Sequence, residues 1–181
     1  MEDYQDILYE AQGAVAYVTL NRPQVLNALS NRLRGELVYA LKVAEMDDEV
    51  NVIVIRSSGR AFSSGYDLAG GTEPSDSPYV SPLTGWPDAG STRPGPNQWA
   101  GHVTDVNWIL WSLCKPIIAQ IHGYCLAGGT ELASMCDLRV VALDARIGFP
   151  PVRAMSTMAA CGRPGTSRWR RPASSPISAI R

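Results

Sequence analysis

Two glycine-centred segments hold the residues best suited to chemistry. The first is Ala61-Phe62-Ser63-Ser64-Gly65-Tyr66-Asp67-Leu68. The second is Ile121-His122-Gly123-Tyr124-Cys125-Leu126-Ala127-Gly128-Gly129-Thr130-Glu131-Leu132. Each follows a short apolar run, and the second leads into a helical pattern. Glycine lets the main chain come close to a ligand, and the amides that open a helix have no partner within it and suit an anionic oxygen. Two such segments at the ends of neighbouring strands could aim two N–H groups at one oxygen. That is an oxyanion hole, in which a single donor typically lowers a barrier by roughly 3–4 kcal/mol. Taken singly, each segment also reads as an ordinary glycine turn. Glu131 stands three residues after Gly128, in the opening turn of the helix, which puts its carboxylate on the same side as that amide. A solvated first-turn glutamate would have the same spacing.

Other reactive side chains offer less. Ala61-x-Ser63-x-Gly65 loosely resembles a nucleophile elbow, but no helix start follows Gly65, and His102 and His122 have no evident role as its base. His122 suits a packed strand end. Cys125 has no identifiable activating partner. Cys114, Cys125, Cys136 and Cys161 form no CxxC pair and have no zinc-ligand spacing, so free thiols in a reducing cytoplasm are expected. No P-loop or dinucleotide fingerprint is present.

The elements that must position these segments alternate between strand and helix. Ala14 to Leu20 is apolar and β-branched between turn residues, and reads as a strand. Ser30 is a suitable N-cap for a helix through Leu33, Leu37, Leu41 and Ala44, closed by Asp47-Asp48-Glu49. Asn51 to Arg56 is a nearly continuous apolar run, expected as a strand buried on both faces. Ser57 to Gly65 reads as a turn, and residues 70–98 form a Pro/Gly-rich loop too long for an ordinary connection. A helix is expected from about Val103 to Leu113, a buried strand at Ile117 to Ile121, a helix over Thr130 to Met135 and a strand at Asp137 to Ala142. The alternation favours a layered α/β fold.

A chain of 181 residues suits one domain, and 45% hydrophobic with 18% charged residues is ordinary for a globular protein. No apolar stretch is long enough to cross a bilayer. The acidic start Met1-Glu2-Asp3-Tyr4 lacks a secretory pattern, and a cytoplasmic location is expected. The net charge of −1 conceals an asymmetry: every acidic residue precedes position 151, and six arginines follow it. From Ser156 to Arg181 the chain is rich in Arg, Ser and Pro without hydrophobic periodicity, as in a segment that buries no core. The expected organisation is a core over 1–155 and an unstructured tail over 156–181. No aromatic or helical pattern accompanies the tail's charges, so nucleic-acid binding is not expected.

Taken in order, Leu20-Asn21-Arg22-Pro23, Leu26-Asn27-Ala28-Leu29, Ala61 to Leu68, Lys115-Pro116, and His122 to Cys136-Asp137 resemble the motif series of the crotonase (enoyl-CoA hydratase/isomerase) family. The resemblance covers roughly residues 10–155 and implies a crotonase-like spiral of ββα units, which in the family assembles as trimers or pairs of trimers. It implies an oxyanion hole made by the main-chain N–H groups of Tyr66 and Gly128, binding the thioester oxygen as it becomes an enolate. Glu131 corresponds to the first catalytic glutamate of the hydratases. Ala61, Phe62, Ser63 and Ser64 would hold the adenine end of coenzyme A largely through main-chain groups. Gly65, Asp67 and Leu68 complete that segment, and Gln24 and Val25 would lie near the coenzyme A entrance. Coenzyme A is part of the substrate here, and neither a separate cofactor nor a metal is implied. Apart from the resemblance, Trp99, Trp108 and Trp111 are candidates to line an acyl pocket, although the helical spacing of the last two is more often that of a core.

The chain departs from the family where the Phe-Gly-x-Pro-Glu pattern meets Ile147-Gly148-Phe149-Pro150-Pro151. Pro151 stands where the second glutamate belongs, and proline moves no proton. The resemblance stops near Met155, so the family's C-terminal helical part is expected to be missing, as after a frameshift or in a split gene. Two functional expectations follow. One is an enoyl-CoA hydratase/isomerase-like enzyme of impaired activity. The other is a non-catalytic acyl-CoA-binding remnant, or a subunit needing a second chain. A homo-oligomer or companion chain would cover the apolar surface that the missing part leaves.

Overall fold

The structure, a computed structural model, describes residues 4–67 and 106–150. The 70–98 loop, the 156–181 tail, Leu68, Trp99, His102, Pro151 and Cys161 lie outside the described residues. The order is β1 (Ile7–Gln12), β2 (Val15–Leu20), a 3-10 turn (Pro23–Val25), α1 (Asn31–Met46), β3 (Val52–Ser57) and β4 (Ala61–Ser63). Helical residues 106–112, here α2, come next. They are followed by β5 (Ile117–Ile121), β6 (Tyr124–Leu126), α3 (Gly128–Met135), β7 (Leu138–Val141) and β8 (Arg146–Gly148).

The strand–strand–helix unit therefore recurs, and from β3 onward each pair of strands divides between two sheets. One sheet runs β1-β2-β3-β5-β7 and the other β4-β6-β8. β2, β3, β5 and β7 are parallel, with Ile53 opposite Ile117 and Ile118 opposite Leu138, while β1 pairs antiparallel at the edge. β4, β6 and β8 are parallel as well. Stacking each unit on the last puts corresponding strand ends side by side, which brings the two glycine segments together.

Apolar spacing explains the packing. Leu33, Leu37 and Leu41 share one stripe of α1 and are buried with Val18 and Leu20 of β2 and Ile53 and Ile55 of β3. Ser30 caps the helix, its Oγ accepting the Leu33 N–H at 3.1 Å. At the other end Lys115 Nζ donates to the Ala44 and Asp47 carbonyls, satisfying groups that a helix end leaves open. Lys115-Pro116 thereby ties the start of β5 to the end of α1.

Several expectations need correction. β3 and β5 are buried on one face: Ile53, Ile55, Ile117, Ala119 and Ile121 are inside, while Val52, Val54 and Ile118 are half-buried and Gln120 is exposed. The stretch expected as one turn from Ser57 to Gly65 instead contains the end of β3 and all of β4, because Ala61, Phe62 and Ser63 are fully buried against β6. β1, β6 and β8 were not expected either. β1 buries only Ile7, so it lacks a core pattern, and the other two are three-residue strands beside glycines. Trp108 and Trp111 are exposed, since α2 turns Val106, Ile109 and Leu110 inward instead.

Candidate functional site

The first glycine segment is held by a polar clamp. Leu26 and Asn27 both adopt positive φ, 54° and 53°, which turns the chain sharply after the 3-10 turn and sends the Asn27 side chain into the interior. Fully buried, its Nδ2 donates to the carbonyls of Ser58 and Ala61, each at 2.8 Å, and its Oδ1 accepts the Arg22 N–H at 2.8 Å. Arg22 Nη1 donates to the Ala28 carbonyl and to Asp67 Oδ2 at 2.8 Å, in an ion pair whose side chains are each only 12% exposed. The Ser63 hydroxyl donates to the Asn27 carbonyl and accepts the Gly65 N–H. The asparagine and arginine of the first two motifs thus fix where residues 61–67 can lie. Sequence reading noted those motifs without assigning this task. Their polarity next to apolar residues was the available signal, since a buried polar side chain is costly unless hydrogen-bonded.

Leu29 then bridges the segment in parallel: its N–H donates to the Gly65 carbonyl and its carbonyl accepts the Asp67 N–H. A residue between two such bonds points its own N–H to the opposite side, so the Tyr66 amide is directed away from Leu29. Gly65 has φ +104°, a conformation suited to glycine, and a Cβ there would meet Ala127 Cβ at 2.8 Å and Gly128 N at 3.3 Å. A Cβ on Gly129 would meet Ser63 Cβ at 2.8 Å. The two glycine segments touch, and they do so where α3 begins.

The start of α3 is fixed from below. Ala127 takes the unusual φ of 48°, its N–H donating to the Gly148 carbonyl, and its carbonyl accepts the Thr130 and Glu131 N–H groups. Thr130 Oγ1 lies 2.9 Å from the carbonyls of both Cys125 and Gly148, tying α3 to β6 and β8. Among the described residues the Gly128 N–H has no backbone acceptor. Beside it, the Tyr66 ring lies against Gly128, where a Cβ would come within 2.7 Å of Cε2, and the Tyr66 hydroxyl donates to Glu131 Oε2. Burial raises the Tyr66 pKa, the Glu131 carboxylate raises it further, and the Arg34 guanidinium, 5.7 Å from the ring centre, opposes them. The phenol therefore stays protonated as a donor. Tyr66, Gly128 and Glu131 form one cluster.

Comparison with known proteins bears on what this cluster belongs to. A family model described as enoyl-CoA hydratase/isomerase matches residues 15–154, most of the chain. The chain belongs to the enoyl-CoA hydratase/isomerase family. A probable enoyl-CoA hydratase of Rhizobium meliloti is 36% identical over 151 residues, covering 82% of this chain and 51% of the relative. A 2,3-dehydroadipyl-CoA hydratase of Escherichia coli is 35% identical, covering 81% and 50%. Among solved structures, an enoyl-CoA hydratase/isomerase from Xanthobacter autotrophicus Py2 superposes with a TM-score of 0.68 at 35% identity, over 83% of this chain and 51% of that one. The fold is the crotonase fold, as the motif series implied. The chain spans about half the length of the curated relatives it matches.

The remaining candidates of this family member have the following local contacts. Gln24 and Val25 are exposed on the 3-10 turn, beside Ser64, whose N–H donates to the Leu26 carbonyl. The Phe62 N–H donates to the His122 carbonyl, so the N–H groups of Phe62 and Ser64 are already engaged within the fold. Asp67 directs its carboxylate to Arg22. His122 is a strand-end residue whose Nε2 meets the Gly59 carbonyl at 2.8 Å. Burial raises the Cys125 thiol pKa, as expected of a packing cysteine. A separate cavity of about 280 Å³ flanks α3, lined by Ile121, Thr130, Ala133, Ser134, Arg139 and Ile147, and none of the candidate site residues lines it.

Proposed function

We propose that this family member binds a fatty acyl-CoA thioester and stabilises its enolate between the main-chain N–H groups of Tyr66 and Gly128, with Glu131 moving the proton. One observation carries the reading: the Gly65–Tyr66 segment meets the start of α3, where Gly128 has an N–H without a backbone acceptor among the described residues and Glu131 is three residues on. Donors fixed in place before the reaction stabilise developing charge without reorganisation. With proline at position 151, one carboxylate must serve both carbons. Water bonds to the β-carbon and gives its proton to Glu131, while the double-bond electrons move toward the thioester oxygen. The same proton then passes to the α-carbon as the carbonyl reforms. Water is added and nothing else is consumed.

Coenzyme A enters only as part of the substrate, with Gln24 and Val25 exposed at its entrance, residues 61–65, Asp67 and Leu68 as its binding segment through main-chain groups that the fold leaves open, and no further cofactor. Hydration of crotonyl-CoA, followed by loss of the enoyl absorbance, tests the reading. Slow turnover is expected, falling by about 10²–10⁴-fold in Glu131→Gln. Pro151 favours a second reading, an acyl-CoA-binding subunit that is silent alone and needs a second chain or copy. Binding of acyl-CoA without turnover would select it. Among the described residues no helix is long and apolar enough to cross a membrane.

A further inference from the structure

Tyr66 enters the proposed reaction through its main chain, yet its side chain is the group that touches Glu131. The phenol O–H donates to Oε2, and no other described residue hydrogen-bonds this carboxylate. The ring cannot easily leave. It is half-buried, lies against Gly128 on one side and stands 5.7 Å from the Arg34 guanidinium. Arg34 itself is buried on α1 and donates to Asn31 Oδ1. A raised pKa keeps the hydroxyl protonated through neutral pH, so it serves Glu131 as a donor.

Glutamate has three rotatable bonds, and in the first turn of a helix several rotamers are open to it. A donor on Oε2 selects one of them and leaves Oε1 to exchange a proton with water. Position matters most where a single carboxylate must reach two adjacent carbons in succession, and Pro151 imposes that demand here.

We propose that the Tyr66 hydroxyl is a positioning group for Glu131, holding the carboxylate by Oε2 so that Oε1 can take a proton from water and return it to the α-carbon. This rests on the hydratase reading above. The phenol keeps its own proton throughout, so the stoichiometry of the reaction is unchanged.

Tyr66→Phe keeps the ring, the packing on Gly128 and the main-chain amide, and removes only the hydroxyl. With crotonyl-CoA, kcat is expected to fall roughly 10²-fold while KM stays within about twofold, the pattern of lost orientation with substrate binding retained. Glu131→Asp supplies the second arm, its carboxylate being one methylene too short to reach the hydroxyl. In that background Tyr66→Phe is expected to change kcat by less than about twofold, because the interaction it removes is already gone. An unchanged kcat in the single variant overturns the proposal. So does an equal loss in both backgrounds, which would mean that the hydroxyl acts independently of Glu131. A wild-type protein without turnover overturns the hydratase reading itself, and this inference with it.

Discussion

Asp67 and Arg22 show how far the first glycine segment depends on an ion pair within the fold. Their ion pair is nearly buried, and removing one partner strands the other charge. Asp67→Ala is expected to cost about 3 kcal/mol in a urea unfolding series, the lower end for such a pair because Asp6 lies 3.6 Å from Arg22 Nε. A loss below about 0.5 kcal/mol would show that solvent takes the place of the carboxylate. The thiols give a second test at this scale. Burial pushes the Cys136 thiol up to about 12 and also raises Cys125, so both stay protonated, and unreactive, at every pH below their raised values. Cys114 is exposed. Peptide mapping after brief alkylation of the native protein at pH 8 should find label on Cys114 and little on Cys125 or Cys136. Equal labelling would contradict the burial.

At the scale of elements, the contact between the two glycine segments is the sensitive joint. Gly129→Ala would set a Cβ 2.8 Å from Ser63 Cβ and 2.9 Å from the Ser63 carbonyl oxygen. Overpacking of this kind typically costs about 1–3 kcal/mol. The substitution also pushes α3 away from β4, so under the proposed hydratase function the loss of turnover should exceed what the fall in stability explains. Ser30→Ala supplies the contrast. It removes the cap of α1 for about 1 kcal/mol and leaves the joint alone, so stability should drop with kcat unchanged. Equal kinetic effects from the two would deny the joint its special place. Helix α1 and its cap were legible from apolar spacing, and β2, β3, β5 and β7 from apolar runs. β4, β6 and β8 were not, because three-residue strands among glycines have no period to read, and only the stacking of successive units supplies their partners.

For the whole molecule, the consequence of this stacking is an apolar edge among the described residues. Leu138 and Val140 are each 59% exposed, and Val141, Leu143 and Ile147 are exposed with them. Among the described residues β7 ends its sheet and β8 ends the other. An apolar edge strand invites association. The protein should therefore sediment with a concentration-dependent mass, and Val140→Lys should shift it toward the monomer. No change in mass with either concentration or substitution would mean that this edge is covered in solution.

The order of motifs along the chain determined the family, and the family determined the fold. Both followed from local residue types whose spacing needs no tertiary information. The glycine, the glutamate three residues after Gly128 and the proline at position 151 could be named the same way. Only the tertiary structure decided that Asn27 and Arg22 clamp the first segment, that Lys115 caps α1, that Trp108 and Trp111 face outward, and that the Tyr66 hydroxyl reaches Glu131. Those contacts join residues up to 71 positions apart in the chain, a separation that periodicity cannot sense, because which side chains meet depends on how successive units stack.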